Sequence, residues 1–219
     1  MEQTIGNLIF HFEINERARN ATIYKVESTD GALISIEFPE YMMVEGRRYT
    51  ITSIKGIVER TETVEEYQYV ERDRRRKTYG QTFTRQSSSF STSCYSVVGN
   101  GEDDGELCSV KLPKSLRRIG DYAFYGCPLS FIEIPNTVRY IGSHAFYKNH
   151  FREVIIPESV TEIGSYAFWT RTSSVVVKIQ NKEDKVKVWW SIVNDYNKGE
   201  VRYKGLKAFA ARFFGKWSI

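Results

Sequence analysis

The chain is poor in the groups that carry out chemistry. Its three histidines, His11, His144 and His150, are dispersed, and its three cysteines, Cys94, Cys108 and Cys127, follow one another at intervals of 14 and 19. Those intervals match neither a zinc ribbon nor a CxxC pair. They suit reduced or buried thiols, with a Cys94–Cys108 disulfide as the alternative. No GxSxG, HExxH, P-loop or GxGxxG occurs, so metal hydrolysis, phosphate cradling and nucleotide-dependent chemistry have no support. No catalytic residue, cofactor or metal site is therefore expected. No run approaches the roughly 18 apolar residues of a membrane span. The first residues, MEQTIGNLIF, lack a basic stretch followed by a long apolar core, so no signal peptide is expected in them. Charge of one sign is scarce too: 31 Lys and Arg against 27 Asp and Glu leave +4, which permits nucleic acid without suggesting it.

What the sequence does contain is repetition. From Val110 to Ile179 one phrase is written three times, as LPKSLRRIGDYAFYGC, IPNTVRYIGSHAFYKN and IPESVTEIGSYAFWTR. Pro113, Pro135 and Pro157 recur at an interval of 22, and Gly120, Gly142 and Gly164 keep it, as do Ala123, Ala145 and Ala167. A period of this size signals a solenoid or array. Val110, Ile132, Val154 and Val176 form one apolar column at this step, and Leu112, Ile134 and Ile156 a second. Alternation turns both inward from short parallel strands that stack turn on turn. Proline ends each strand because it cannot donate to a ladder. Leu116/Ile119, Val138/Ile141 and Val160/Ile163 supply a second inward set, glycine permits a tight corner, and each Ala-Phe pair packs against its neighbours. His144 shares its column with Tyr122 and Tyr166, which marks it as a stacking position.

Before the repeats, Leu8, Phe10, Phe12 and Ile14 alternate as in a half-buried strand, and Thr22 to Glu27 and Leu33 to Phe38 follow after turns. These predict an antiparallel sheet of about three strands capping the array. Phe38-Pro39 and Ile51-x-x-Ile54 repeat the later phrase with a longer interval, filled by a hairpin around Glu45-Gly46. From Ile54 to Val110 the pattern is interrupted by about 43 extra residues beyond the 13 that later turns use at this point. Tyr67, Tyr69, Tyr79 and Phe83 among Thr and Val favour strands, and the run ERDRRRK lies between them. This reads as a hairpin tipped by Arg72, Arg74, Arg75, Arg76 and Lys77. The tip is either an anion or acidic-partner contact or a solvated end balanced by Glu65, Glu66, Glu71 and Asp73.

The outward positions of the repeat strands are Ser109 and Lys111, Phe131 and Glu133, Glu153 and Ile155, and Val175 and Val177. Phe131, Ile155, Val175 and Val177 would make an apolar patch, to be covered by a partner or by the chain's own C-terminal segment. After Ile179 the phrase stops, with Lys178 and Ile179 in the places of Ile156 and Pro157. Residues 182–205 read as a cap of short strands. Leu206, Phe209, Ala210, Phe213 and Trp217 then fall on one face of an amphipathic helix. Nine basic against four acidic residues follow from Lys182, so this helix either packs on its own domain or lies on a membrane surface.

The repeated V/I-x-I-P-x-S-V-x-x-I-G-x-Y-A-F resembles the BspA-type (Treponema pallidum-like) leucine-rich repeat, across Val110 to Phe168 and more weakly from Leu8 to Ile54. The resemblance implies a right-handed parallel leucine-rich repeat solenoid, α/β or mainly β. The residues themselves add to it an antiparallel N-terminal β cap, a C-terminal helix and a β-hairpin-like insertion, which departs from the family by removing the Ala-Phe expected after Ile54. The expected organisation is 1–56 (cap and first partial repeat), 57–108 (insertion), 109–180 (three 22-residue repeats) and 181–219 (C-terminal cap). The resemblance further implies a non-catalytic, bacterial, adhesion-like binding module for a protein ligand, host or cell-surface, itself at the cell surface or secreted, with a cytoplasmic location as the alternative. Its expected contacts are Lys111, Phe131, Glu133, Glu153, Ile155, Val175 and Val177 on the strand face. On the insert they are Tyr67, Tyr69, Arg72, Arg74, Arg75, Arg76 and Lys77. The other readings are a membrane- or nucleic-acid-associated protein that uses the basic insert tip and C-terminal helix, and self-association through the apolar patch.

Overall fold

The computed structural model of the chain describes residues 1–30, 35–72, 79–98, 109–170, 175–181, 185–188, 193 and 199–203, with backbone alone over most of 60–94. It comprises two compact units, Met1–Ile57 with Cys94–Ile219, and Val58–Ser93. Among the described residues the secondary structure is strands, with no α-helix.

The N-terminal strands β1 (Glu2–Ile5), β2 (Leu8–Asn15) and β3 (Asn20–Ser28) pair antiparallel in succession. Leu8, Phe10 and Phe12 point into the core as the alternation requires, Phe10 opposite Val26 and Phe12 opposite Ile23, and Ala21 is buried with them. The third expected strand does not join them. β4 (Ser35–Glu37) pairs in parallel with β9 (Ser109–Lys111), because Ile36 is the first rung of the inward column that continues at Val110. The antiparallel sheet is instead extended by β6 (Arg47–Ile54), parallel to β3 and joined to β5 (Tyr41–Val44) by the expected hairpin. Its turn residues, Glu45 (φ 50°) and Gly46 (φ 73°), are both left-handed, as a tight two-residue turn demands.

From β6 a parallel ladder runs through β10 (Arg118–Ile119), β11 (Tyr140–Ile141), β13 (Glu162–Ile163) and β15 (Lys187–Val188). A second ladder joins β12 (Glu153–Ile156), β14 (Val176–Ile179) and β16 (Glu200–Tyr203). Residues 131–134 belong to neither sheet, yet Ile132 and Ile134 are buried in line with Val110 and Leu112. Both ladders therefore continue past Ile179, where the sequence phrase stops. Inside, Leu116, Val138 and Val160, and Ile119, Ile141 and Ile163, are fully buried, each worth roughly 1.5–3 kcal/mol of apolar transfer.

One column departs from the regular step. Val154 pairs with Val177 and Ile156 with Ile179, one position later than an interval of 22 would place them. Val175 and Val177 are thus buried (0% exposed), and Val176 and Lys178 take the outward positions. The extra residue lies between Phe168 and Val177. Burial of the alternate valines fixes the register, since a one-residue slip would invert every side chain.

Aromatic rings stack along the array. Phe124, Phe146 and Phe168 lie with centroids 5.4 and 5.2 Å apart, and Tyr125, Tyr147 and Trp169 at 5.2 and 4.5 Å, roughly 0.5–1.5 kcal/mol per contact beyond area burial. Tyr122, His144 and Tyr166 form the expected third stack, each in the left-handed region (φ 55–56°). The repeat glycines serve close approach rather than unusual dihedrals. A Cβ on Gly142 would stand 2.3 Å from Asp121 Oδ1 and 2.5 Å from Asp121 N, and one on Gly164 would stand 2.3 Å from Ser143 N.

The second unit contains most of β7 (Ile57–Arg72) and β8 (Tyr79–Tyr95), which pair with each other. Where β8 ends, the interrupted turn resumes. Val97 N donates to Ala123 O at 2.9 Å, as Phe124 N does to Ala145 O at 2.7 Å, so Ser96-Val97 stands in for the missing Ala-Phe pair. The C-terminal helix expected over 206–217, the Cys94–Cys108 pairing, and Arg74, Arg75, Arg76 and Lys77 lie outside the described residues.

Candidate binding face

The outward side of the β4, β9, β12, β14 and β16 strands carries two columns. One holds Ser35, Ser109, Phe131, Glu153, Val176 and Glu200; the other holds Glu37, Lys111, Glu133, Ile155, Lys178 and Arg202. Alternation on each strand positions them: Ile36, Val110, Ile132, Val154, Val177 and Val201, each lying between the two columns, are buried. Phe131 is 69% exposed and Ile155 49%, the two large apolar side chains of the face that water reaches. Around them charges pair, two of the pairs across turns and that of Arg202 with Glu200 within one strand. Lys111 Nζ donates to Glu37 Oε1 at 2.5 Å, Lys178 Nζ lies 2.6 Å from Glu153 Oε2, and Arg202 meets Glu200 at 2.7 Å. The bond from Glu37 holds the Lys111 ammonium above its ordinary pKa. The Glu153–Lys178 pair lies on a diagonal, because Lys178 faces Ile155 in register. Glu133 is exposed and makes no ion pair among the described residues.

Lys111, Phe131, Glu133, Glu153 and Ile155 therefore come together on one face. Val175 and Val177 do not; they are core residues, and the apolar patch is smaller than four side chains. Val176, Lys178, Glu200 and Arg202 join the face although the repeat phrase does not point to them. The stretch VVVKIQ holds the signal for the first two, because placing Lys178 outward puts Val175, Val177 and Ile179 inward without any appeal to the repeat length. Of the insert residues, Tyr67, Tyr69 and Arg72 lie on β7.

Other polar groups are structural. Asn149 Oδ1 accepts from Leu129 N at 3.2 Å and its Nδ2 donates to Phe124 O at 2.7 Å, closing the loop after the Ala-Phe pair. Cys127 occupies the same repeat position, its Sγ 3.6 Å from Ser96 Oγ, and burial pushes its thiol up to about 12. Burial likewise lowers the His144 pKa, with Asp121 opposing, and its Nδ1 has no hydrogen-bond partner. At Glu40, burial raises the pKa, but bonds from the Lys114 and Ser115 amides at 2.8 and 3.1 Å outweigh it and hold the carboxylate below its usual range. Among the described residues no group of three or more His, Cys, Asp or Glu is arranged to hold a metal, and no helix is long and apolar enough to cross a membrane.

Residues 102–189 match the model of the BspA type leucine rich repeat region, in 6 copies. No curated protein matches the chain. Two solved structures resemble it, both at 17% identity. A leucine-rich repeat protein from Bacteroides ovatus has a TM-score of 0.40 over 82% of this chain and 49% of its own length. The leucine rich repeat protein of T. pallidum has a TM-score of 0.41 over 89% of this chain and 82% of its own. This chain thus spans about half the length of the first.

Proposed function

Residues 102–189 of this chain are a BspA type leucine rich repeat region, and from that premise we propose a non-catalytic protein-binding module built on a right-handed parallel solenoid. The β1–β3 strands cap its N-terminal end. The ligand is a protein at a cell or host surface, and the module acts at the cell surface or in secreted form, as the family resemblance suggests. The observation that carries the reading is the exposure of Phe131 and Ile155 on consecutive turns of a face whose other charges, Glu133 apart, are paired. An exposed phenylalanine ring flanked by satisfied ion pairs costs little polar desolvation when covered, and such apolar side chains in a polar rim make interface anchors. Glu133 beside them adds a point of charge selection for a basic group on the ligand.

The test is retention of extracellular-matrix and plasma proteins by the immobilised full chain, compared with Phe131→Asp/Ile155→Asp and with a chain lacking Val58–Ser93. Loss of a retained protein with the double substitution, at unchanged thermal stability, is the expected result. Retention that survives the double substitution but fails on deletion moves the site to the insert. Retention that survives both removes the proposal.

A further inference from the structure

Several outward charges on neighbouring strands of this fold pair with the opposite sign: Lys111 with Glu37 at 2.5 Å, Lys178 with Glu153 at 2.6 Å and Lys187 with Glu162 at 3.9 Å. Where like charges do meet on the strand face, as Arg202 does opposite Lys178, each has an acid of its own, Glu200 and Glu153; two arginines of the other ladder have none among the described residues. On the β6, β10, β11 and β13 ladder, Arg117 N donates to Thr52 O, Arg139 N to Arg117 O and Thr161 N to Arg139 O, at 2.8–2.9 Å. Thr52, Arg117, Arg139 and Thr161 are therefore one outward column, with the two arginines on adjacent turns, about 4.8 Å apart in backbone. Both are exposed, and neither makes an ion pair among the described residues. The parallel column reads Ser53, Arg118, Tyr140, Glu162 and Lys187. The Arg118 guanidinium sits 3.7 Å over the Tyr140 ring. Two acids lie nearby. Asp121 Oδ1 already accepts from Ser143 N at 2.8 Å and Tyr140 OH at 3.3 Å, and Glu162 faces Lys187.

Like charges directly opposite on a ladder are unfavourable, and a fold that pairs its charges elsewhere leaves three guanidinium groups clustered here. Guanidinium forks match planar or tetrahedral oxyanions. The rest of the face narrows the choice. Its flanking positions are the hydroxyl residues Thr52, Ser53 and Thr161; no aliphatic side chain lies in these two outward columns among the described residues; and one side of the Tyr140 ring is covered by Arg118. The face therefore lacks the apolar anchors of a protein interface, and its one ring, Tyr140, stands between Arg118 and Glu162 in its column, so it offers no row of rings on which successive nucleobases could stack. We infer that the Arg117–Arg118–Arg139 face is a binding site for a sulfated polysaccharide, whose sulfates the guanidinium groups take and whose sugar hydroxyls meet the threonine and serine side chains. The site stands on the opposite chemistry from the Phe131 face and does not depend on that reading.

The test is titration of the full chain with heparin at several salt concentrations. The variant Arg117→Thr/Arg139→Thr continues the threonines already present at Thr52 and Thr161, so the rung is preserved; the single Arg139→Thr gives a milder second measurement. Arg17→Thr/Arg47→Thr, at exposed positions elsewhere, removes the same charge. The expected result is affinity lowered about tenfold or more by the Arg117/Arg139 pair with a shallower salt dependence, an intermediate loss for the single change, and less than about threefold for the control. Fully desulfated heparin should bind more weakly than heparin by a similar factor. Equal losses for the two double variants, or none for the Arg117/Arg139 pair, overturn the site. Duplex DNA binding as tightly as heparin at the same salt overturns the polysaccharide assignment.

Discussion

Replacing Gly142 by alanine probes how closely successive turns approach. The added methyl would lie 2.3 Å from Asp121 Oδ1, 2.5 Å from Asp121 N and 2.5 Å from Gly120 C. Two of those atoms are backbone atoms held in place by the preceding turn. Overpacking of this kind costs about 1–3 kcal/mol. Pushing Asp121 away also weakens its bond to Ser143 N, 2.8 Å long, worth about 1 kcal/mol. The reduced freedom of the unfolded chain returns about 0.4–1 kcal/mol. The net loss is about 2–3 kcal/mol, or about 5–10 °C in Tm for a chain of this size. Gly46 is the matching control. Its Cβ would meet nothing within 4 Å, but its φ is +73°, so alanine there carries a left-handed strain of about 1–2 kcal/mol less the same entropic gain. Asparagine, which tolerates that conformation, should recover most of the loss at Gly46 and none of it at Gly142. Thermal unfolding followed by circular dichroism decides the matter. A Gly142→Ala chain that melts within about 2 °C of the parent (about 0.5–1 kcal/mol), or is rescued by asparagine, would refute close approach as the reason for glycine in the repeat.

His144 should make stability depend on pH. Burial holds its folded pKa below the 6.5 of the exposed group, so both states are neutral above that value. As pH falls through it, the unfolded chain takes up a proton that the folded one refuses, and stability declines until the folded pKa is passed. Tyrosine already occupies this position, in the same left-handed conformation, in the turns on either side. His144→Tyr should therefore flatten the stability difference between pH 7 and pH 5, measured by urea midpoints; an unchanged difference would assign the dependence to other groups. Asn149→Ala should cost about 2–4 kcal/mol, because it leaves Leu129 N and Phe124 O buried without their partner. A urea midpoint lowered at constant slope is expected, and a shift under about 1 kcal/mol would mean that these groups find another partner.

The repeat ladder is legible in the sequence because its cause is local. Proline, glycine and alternating aliphatic residues each report one step of a turn, and three copies of the phrase confirm one another. Phe131, Glu133 and Ile155 follow from the same alternation. What cannot be read are the places where a distant strand decides. Ile36 and its neighbours look like the third strand of a meander, and only their pairing with Val110, on the far side of the insert in sequence, makes them the first rung of an inward column. Val175 and Val177 fall outward if the regular step is carried past Phe168, but there the chain gains one residue and the buried alternation takes over. Continuation of both ladders into β15 and β16 is hidden for a similar reason. Glu162 pairs with Lys187 and Val177 with Val201, at intervals that differ from each other and from the repeat, so no search at constant period would link them.

The close meeting of Gly56 and Tyr95 has a wider consequence. A methyl on Gly56 would lie 2.5 Å from Tyr95 O, so the chain leaves the array and returns to it at nearly the same point. For a segment whose ends touch, closure entropy rises by only about 0.6 kcal/mol per doubling of length. The array is thereby indifferent to how many residues are looped out between these two positions, provided that Ser96-Val97 complete the turn on return. The junction acts as a socket: what is carried there can be lengthened, shortened or exchanged for another sequence while every rung on either side keeps its register.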